Sequence, residues 1–228
     1  MADIRIVDDP AAAAADLIAD SVRAGGHIAL TGGSTPRTAY ERLAGMDLDW
    51  TSTTLWFGDE RCVPPDHEYS NYRMAKEALL DRIEGDPPAV HRMPGEKGPH
   101  AGAGDYEREL RETLGEQLPR LDLVLLGLGP DAHTASLFPN KPAVEVTDRA
   151  VVGVEEAGLE PFVPRITLTL PAINAGRRVL FLIAGVEKSA AVSKAFGGGE
   201  AGPEVPASLV TDSAVVLLDG PAASGLPR

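Results

Sequence analysis

The chain has 228 residues, which is long enough for one large domain whose core needs no disulfide or structural metal. Its formal net charge of −13 argues against a nucleic-acid binder, because such proteins need a basic surface. The same charge repels small anions, so an anionic ligand requires locally placed arginine, lysine and backbone N–H groups.

The composition is that of an ordinary globular protein, with 43% hydrophobic and 24% charged residues, and we expect one domain over residues 1–228. No run approaches the roughly 20 apolar residues of a membrane span. The single cysteine, Cys62, cannot form an internal disulfide, and the acidic start MADIRIVDD lacks the apolar stretch of a signal peptide. We therefore expect a cytoplasmic monomer or small homo-oligomer with no membrane or nucleic-acid partner.

The first helix and strand lead to a glycine-rich turn. Asp9 followed by Pro10 is typical of a helix cap and first turn, and this helix should end at the glycines that follow Ala24. Residues 27–30 form a short apolar strand. TGGSTP follows at 31–36, where Ser34 or Thr35 can cap a helix that Pro36 opens. A strand, a glycine turn and a helix start favour phosphate binding through exposed N–H groups, and a plain strand-to-helix turn is the alternative.

A second strand, at 53–57, runs into the charged loop GDER at 58–61. Asp59 and Arg61 can supply a carboxylate for proton transfer and a guanidinium for an oxyanion or phosphate, and simple surface charge is the alternative. Ser70 should cap a helix over 71–83.

The stretch that follows the third predicted helix indicates a long loop and then a fourth helix. Glycine-rich residues 85–104 indicate a loop in which His91 and His100 are solvated, and an amphipathic surface helix should begin at Asp105 and run to residue 118.

The stretch LLGLGPDAHTASLFP, at 125–139, has the pattern of a reactive centre. An apolar strand, Leu123 to Leu126, ends at Gly127 and Gly129, which let the backbone approach a ligand closely. Asp131 and His133 then lie on the loop beyond the carboxyl end of the strand, where open α/β sheets bind ligands. A solvated loop histidine is the alternative interpretation.

Two further strand ends carry cations. After an outer strand at 151–154, residues 164–174 indicate a strand and a short turn, with Arg165 at the start as either a rim charge or a phosphate anchor. The buried strand within 178–185 runs into a helix whose first turn contains Lys188, and a cation there opposes the helix dipole unless an anion compensates. A flexible loop at 197–206 and a last strand at 214–220 complete the chain.

The repeated order of strand, loop and helix indicates an α/β fold. If the strands at 27–30, 53–57, 123–126 and 179–183 are parallel and adjacent, their glycine-containing polar loops converge at one rim of the sheet. GLGPDA departs from the dinucleotide fingerprint, and the histidines and cysteine lack zinc-site spacing, so we expect neither a cofactor nor a metal.

Six segments in this order together resemble the 6-phosphogluconolactonases: TGGSTP, GDER, SNYRM, LGLGPDAHTASLFP, PRITLTLPAIN and GVEK. The resemblance spans nearly the whole chain. It implies a modified Rossmann-like, mostly parallel sheet flanked by helices, of the type shared with glucosamine-6-phosphate deaminases and ribose-5-phosphate isomerases. It also implies cofactor-free hydrolysis of 6-phospho-D-glucono-1,5-lactone to 6-phosphogluconate.

By that resemblance His133 is the general base and Asp131 orients it. The implied substrate-binding residues are Gly32, Gly33, Ser34, Thr35, Asp59, Arg61, Thr134, Arg165 and Lys188, with the three cations contacting phosphate or a developing oxyanion. One departure concerns Ala132, where the family usually has glycine. If this position needs φ > 0, alanine costs on the order of 1 kcal/mol.

Two other functions stay open. A glucosamine-6-phosphate deaminase uses an aspartate at the position of Asp59 and a glutamate where this chain has Phe138, which cannot relay protons. A sugar-phosphate-sensing domain keeps the fold without turnover, but such domains normally carry a DNA-binding module, for which there is no space before His27.

Overall fold

The computed structural model describes residues 2–115, 118–211 and 213–227. Within these ranges the strands are β1 (Asp3–Ile6), β2 (Gly26–Leu30), β3 (Thr53–Phe57), β4 (Asp59–Arg61), β5 (Ala89–Val90), β6 (Leu123–Leu126), β7 (Val151–Val154), β8 (Arg165–Leu168), β9 (Val179–Ile183) and β10 (Val215–Leu218). The helices are α1 (Pro10–Ala24), α2 (Ser34–Leu43), α3 (Asn71–Ala78), α4 (Pro99–Leu114), α5 (Leu170–Ala175), α6 (Ser189–Phe196) and α7 (Gly220–Ala223).

Seven parallel strands form the main sheet in the order β1-β10-β9-β6-β2-β3-β5. The four strands predicted to be parallel and adjacent are neighbours at its centre, as β9-β6-β2-β3, which confirms the α/β prediction. Their carboxyl ends therefore lie along one edge of the sheet. A second, antiparallel sheet of order β4-β8-β7 begins two residues beyond the end of β3.

Buried strands and two tyrosines fix that edge. All residues of β6 and β9 are buried, as expected for central strands of a parallel sheet with helices on both faces. The hydroxyl of Tyr40 on α2 accepts from the N–H and donates to the C=O of Thr31, both at 2.9 Å. Tyr106 on α4 bonds Phe57 in the same way, at 2.8 and 3.1 Å. Each tyrosine hydroxyl thus provides hydrogen-bond partners for the backbone N–H and C=O of a residue at, or just beyond, the end of a strand.

Several sequence predictions are wrong in detail. The strand β1 was not expected, because its four residues carry no clear pattern alone, and it gains its pairing from β10. GDER was predicted as a loop, but residues 59–61 pair with β8 as β4. The expected turn near residue 171 is the short helix α5. His91 is not simply solvated, because its ring stacks on Trp56 with centroids 4.1 Å apart.

Helix boundaries also differ from the predictions. The helix α2 begins at Ser34 and is capped by Gly33 rather than by a hydroxyl. The helix that Ser70 caps, as predicted, ends at Ala78 and continues only as a 3-10 turn. The predicted end of the next helix includes residues 116 and 117, which lie outside the described ranges. None of the described helices is both long and apolar enough to cross a bilayer.

The helix α4 begins at Pro99, six residues before the predicted start, because two glycines inside it are compatible with helical geometry. A Cβ on Gly102 would lie 2.4 Å from Ile166 Cδ1 and 2.8 Å from the Pro94 carbonyl oxygen, so this glycine allows the helix to pack closely against β8. A Cβ on Gly104 would meet no atom within 4 Å.

These two glycines predict opposite responses to alanine. Gly104→Ala should stabilise the protein by about 0.5–1 kcal/mol, since it lowers the backbone entropy lost in a helix. Gly102→Ala should destabilise it by about 1–3 kcal/mol through overpacking against Ile166 and Pro94. Urea unfolding of both variants measures the difference, and equal midpoints would contradict the packing described for α4.

Candidate active site

The loop after β6 presents a carboxylate and an imidazole in contact. His133 Nδ1 lies 2.5 Å from Asp131 Oδ1, and the same oxygen accepts from the His133 main-chain N–H at 3.1 Å. The imidazole also packs on Phe138, with ring centroids 4.7 Å apart. Because Nδ1 donates to a carboxylate, the other ring nitrogen, Nε2, carries the free lone pair. The imidazole side chain is 17% exposed and can still be reached from solvent.

The ionised form of Asp131 is stabilised by its contacts with His133. Burial raises the pKa of Asp131, but the hydrogen bonds and charge of His133 outweigh it and hold the pKa below its usual value. Asp131 is therefore ionised at neutral pH and fixes the orientation of the imidazole.

The backbone around this pair is tight. A Cβ on Gly129 would lie 2.0 Å from His133 Nδ1, so only glycine leaves the imidazole its place. Ala132 has φ of 67°, which meets the condition under which alanine was expected to cost about 1 kcal/mol relative to glycine. Ala135 has φ of 48° and is a second left-handed alanine, which no sequence pattern indicated.

The glycine turn after β2 lies beside this loop. The side chain of Thr134 is bound through Oγ1 to the Gly127 carbonyl at 3.0 Å, and a Cβ on Gly127 would lie 4.0 Å from the Gly32 carbonyl oxygen. The N-cap of α2 is Gly33, with φ of 116°, and because glycine has no side chain it cannot accept a hydrogen bond from the first turn in the way a serine or aspartate cap does. The N–H groups of the first turn, which contains Ser34 and Thr35, are thus without a side-chain cap.

Three predicted cations are held by main-chain carbonyl oxygens. Arg61 Nη1 donates to Tyr69 at 2.6 Å, Arg165 Nη2 to Pro161 at 2.8 Å, and Lys188 Nζ to Leu128 at 2.8 Å. Within the described ranges, no carboxylate forms a salt bridge with any of the three. Their charged groups are thus fixed by neutral main-chain oxygens rather than by contact with a carboxylate.

The two arginines face each other across the small sheet. Arg61 and Arg165 are direct partners in the register of β4 and β8. Burial, followed by the neighbouring charge of Arg61, lowers the pKa of Arg165 to about 10. Both guanidiniums stay charged at neutral pH, and an anion between them would relieve their repulsion. Arg61 Nε is buried and has no hydrogen-bond partner among the described residues.

Lys188 follows β9, and in the main sheet β6 and β2 separate β9 from β3, after which Arg61 lies. Lys188 ends a 3-10 turn, Val186–Lys188, and precedes α6 rather than occupying its first turn as predicted. Its bond to Leu128 places the ammonium group next to the backbone that leads to His133.

The predicted substrate contact Asp59 has a different environment. It is 6% exposed, and its two carboxylate oxygens accept hydrogen bonds from Asn71 Nδ2 and Ser136 Oγ, at 3.1 and 2.6 Å. Both of these partners are buried, and Ser136 was missed as a site residue because it does not stand out in the sequence. We therefore do not count Asp59 among the substrate contacts.

In this arrangement the imidazole of His133 can accept a proton while cationic side chains bind an anion. Among the described residues no group of three His, Cys, Asp or Glu is placed to bind a metal ion. An α/β sheet with such groups at its carboxyl edge defines the class of enzymes that act on small phosphorylated substrates by acid–base chemistry.

Comparisons with known proteins narrow this class. The family model described as glucosamine-6-phosphate isomerases/6-phosphogluconolactonase matches residues 5–218, and the chain belongs to this family. A 6-phosphogluconolactonase from Streptomyces coelicolor is 40% identical over 236 residues, covering 95% of this chain and 90% of the relative. One from Synechocystis is 40% identical over 210 residues, covering 90% and 86%.

Solved structures agree with the family assignment. A 6-phosphogluconolactonase from Trypanosoma cruzi has a TM-score of 0.87 at 30% identity, covering 100% of this chain and 98% of that one. A monomeric glucosamine-6-phosphate deaminase, 21% identical with a TM-score of 0.83, shares the fold. The expected fold type is thereby confirmed.

Proposed function

We propose that the protein hydrolyses 6-phospho-D-glucono-1,5-lactone to 6-phosphogluconate, with His133 as general base. The observation that carries this proposal is the imidazole held through Nδ1 by Asp131, which leaves Nε2 free on a loop that Lys188 also contacts, through the Leu128 carbonyl. Curated relatives at 40% identity that are named 6-phosphogluconolactonase support the same reaction.

In this mechanism His133 Nε2 takes a proton from a water molecule as the water oxygen attacks the lactone carbonyl carbon. The carbonyl oxygen becomes an oxyanion, which a cation at the site stabilises. Collapse of the tetrahedral intermediate breaks the bond to the ring oxygen, and the imidazolium returns its proton to that oxygen. The product acid then loses a proton to solvent. Asp131 stabilises the imidazolium and keeps it oriented.

The phosphate is bound by N–H groups of the turn at Gly32, Gly33, Ser34 and Thr35 together with cationic side chains. Arg61 and Arg165 are suited to this task because they lie side by side and, among the described residues, form no salt bridge with a carboxylate. Lys188, which contacts the loop at Leu128, supplies a third positive charge, and Thr134 holds the loop through Gly127. We place the reaction in the cytoplasm, in keeping with the single cysteine.

The experiment that tests the function is a direct assay. Purified protein is offered the phosphorylated lactone, and proton release is compared with the spontaneous hydrolysis of the same lactone. Glucosamine 6-phosphate is offered in parallel, with ammonia release as the readout. Lactone turnover with no ammonia supports the proposal. Ammonia release without lactone turnover would refute it in favour of a deaminase, and no turnover of either would favour a sensing domain.

Lys188→Ala should raise KM for the phosphorylated lactone by about 10- to 100-fold, which corresponds to the loss of one charge-assisted bond. Residual action on the unphosphorylated lactone should be spared, because the lost contact is with the phosphate. The matched control is Lys194→Ala, which removes an exposed lysine from α6. An unchanged KM in Lys188→Ala would remove the lysine from phosphate binding.

A further inference from the structure

Asp59 is a buried carboxylate that the proposed mechanism does not use. It follows β3 by two residues and begins β4, so it lies where the two sheets meet. Its Oδ1 accepts from Asn71 Nδ2 at 3.1 Å and its Oδ2 accepts from Ser136 Oγ at 2.6 Å. A carboxylate at 6% exposure needs such donors, and bonds to a charged acceptor are stronger than neutral ones.

One of these bonds restrains the loop that carries the imidazole. Ser136 is three residues beyond His133, and the intervening Ala135 has the left-handed φ of 48°. Such a backbone persists only where its surroundings hold it. Ser136 supplies that restraint, because its hydroxyl donates to Asp59 and its N–H donates to Thr167 Oγ1 at 3.2 Å.

The other bond restrains the glycine turn. Asn71 Nδ2 donates to both the carboxylate and the main-chain oxygen of Asp59, at 3.1 and 3.0 Å. This fixes the amide so that its oxygen faces Gly32, where an added Cβ would lie 2.0 Å from Asn71 Oδ1. The turn at Gly32 therefore lies directly on an amide that Asp59 orients.

We propose that Asp59 is a positioning residue that sets the distance between the two halves of the site, holding the His133 loop through Ser136 and the glycine turn through Asn71. A substrate anchored by its phosphate at one half is attacked at the other, so this distance decides whether the imidazole reaches the carbonyl. Misplacement by about 1 Å can cost on the order of 10²-fold in rate. The inference rests on the proposed hydrolysis.

The test compares Asp59→Asn, Ser136→Ala, their double variant and Asn71→Ala by steady-state kinetics on the lactone. Ser136→Ala releases only the His133 loop and should lower kcat about 10-fold with KM within about 2-fold of wild type. Asn71→Ala should raise KM about 10-fold with little change in kcat. Asp59→Asn weakens both restraints and should change both constants. The control Asp16→Asn makes the same chemical change at an exposed site on α1 and should change neither.

The double variant decides whether Ser136 acts through Asp59. If it does, kcat of the double variant should be close to that of Asp59→Asn alone, because the same bond is removed twice. A kcat equal to the product of the two single effects would overturn the inference, as would an unchanged KM in Asp59→Asn. Should Asp59→Asn fail to fold, the two other single variants carry the test, since Ser136→Ala should change mainly kcat and Asn71→Ala mainly KM. The same change in both variants would refute the inference. An inactive wild type would refute the proposed function instead.

Discussion

His133→Ala should lower kcat for the phosphorylated lactone by about 10²- to 10⁴-fold, the usual contribution of a general base. The His133 imidazole has a free ring nitrogen and a carboxylate partner on the loop after β6, so its removal leaves water without a proton acceptor. KM should change little, because the cations and the glycine turn that hold the phosphate are untouched. Steady-state kinetics measured above the spontaneous rate gives both constants.

A second histidine serves as the control for this variant. His100→Ala removes an imidazole that is 73% exposed and pairs with Glu155 on the surface, so its kcat should equal that of wild type. Urea unfolding should show that both variants are folded, since His133 is a partly exposed loop side chain. Full activity of His133→Ala would exclude this histidine from the mechanism.

Much of the site was predictable because it follows directly from local pattern. Short apolar strands that end in glycine and polar residues indicated where the loops of β2, β3, β6 and β9 lie, and the parallel order of these strands brings those loops to one edge. Asp131 and His133 were recognisable because they lie two and four residues after Gly129, in the glycine-containing turn that follows β6. The left-handed backbone at Ala132 was foreseen as a condition, and the structure meets it.

What the sequence left undetermined depends on contacts between distant segments. The burial of Asp59 depends on Ser136, 77 positions away, and no local pattern indicates which of two adjacent acids faces which donors. Glu60, next to it, instead accepts from the backbone N–H groups of Asn71 and Tyr72 and so fixes the start of α3. The strand β1 was missed for a related reason, since it exists by pairing with the last strand of the chain.

Gly129→Ala should lower kcat by about 10²-fold or more while changing the free energy of unfolding by less than about 2 kcal/mol. The new Cβ would lie 2.0 Å from Nδ1 and 2.1 Å from Cε1 of His133, and 2.8 Å from Asp131 Oδ1. Gly129 does not have positive φ, so alanine fits its backbone, and the clash is relieved by rotation of one partly exposed loop side chain, which loses its contact with Phe138.

That rotation separates stability from activity. The imidazole that yields to the methyl group breaks its bond to Asp131, and Nε2 leaves the position from which it activates water. Gly104→Ala is the matched control, because the same methyl group meets no atom within 4 Å and should leave kcat unchanged. Kinetics and urea unfolding on both variants give the comparison. If Gly129→Ala kept its activity, the imidazole would not work from the place it occupies against Gly129, and the proposed geometry of proton transfer would be wrong.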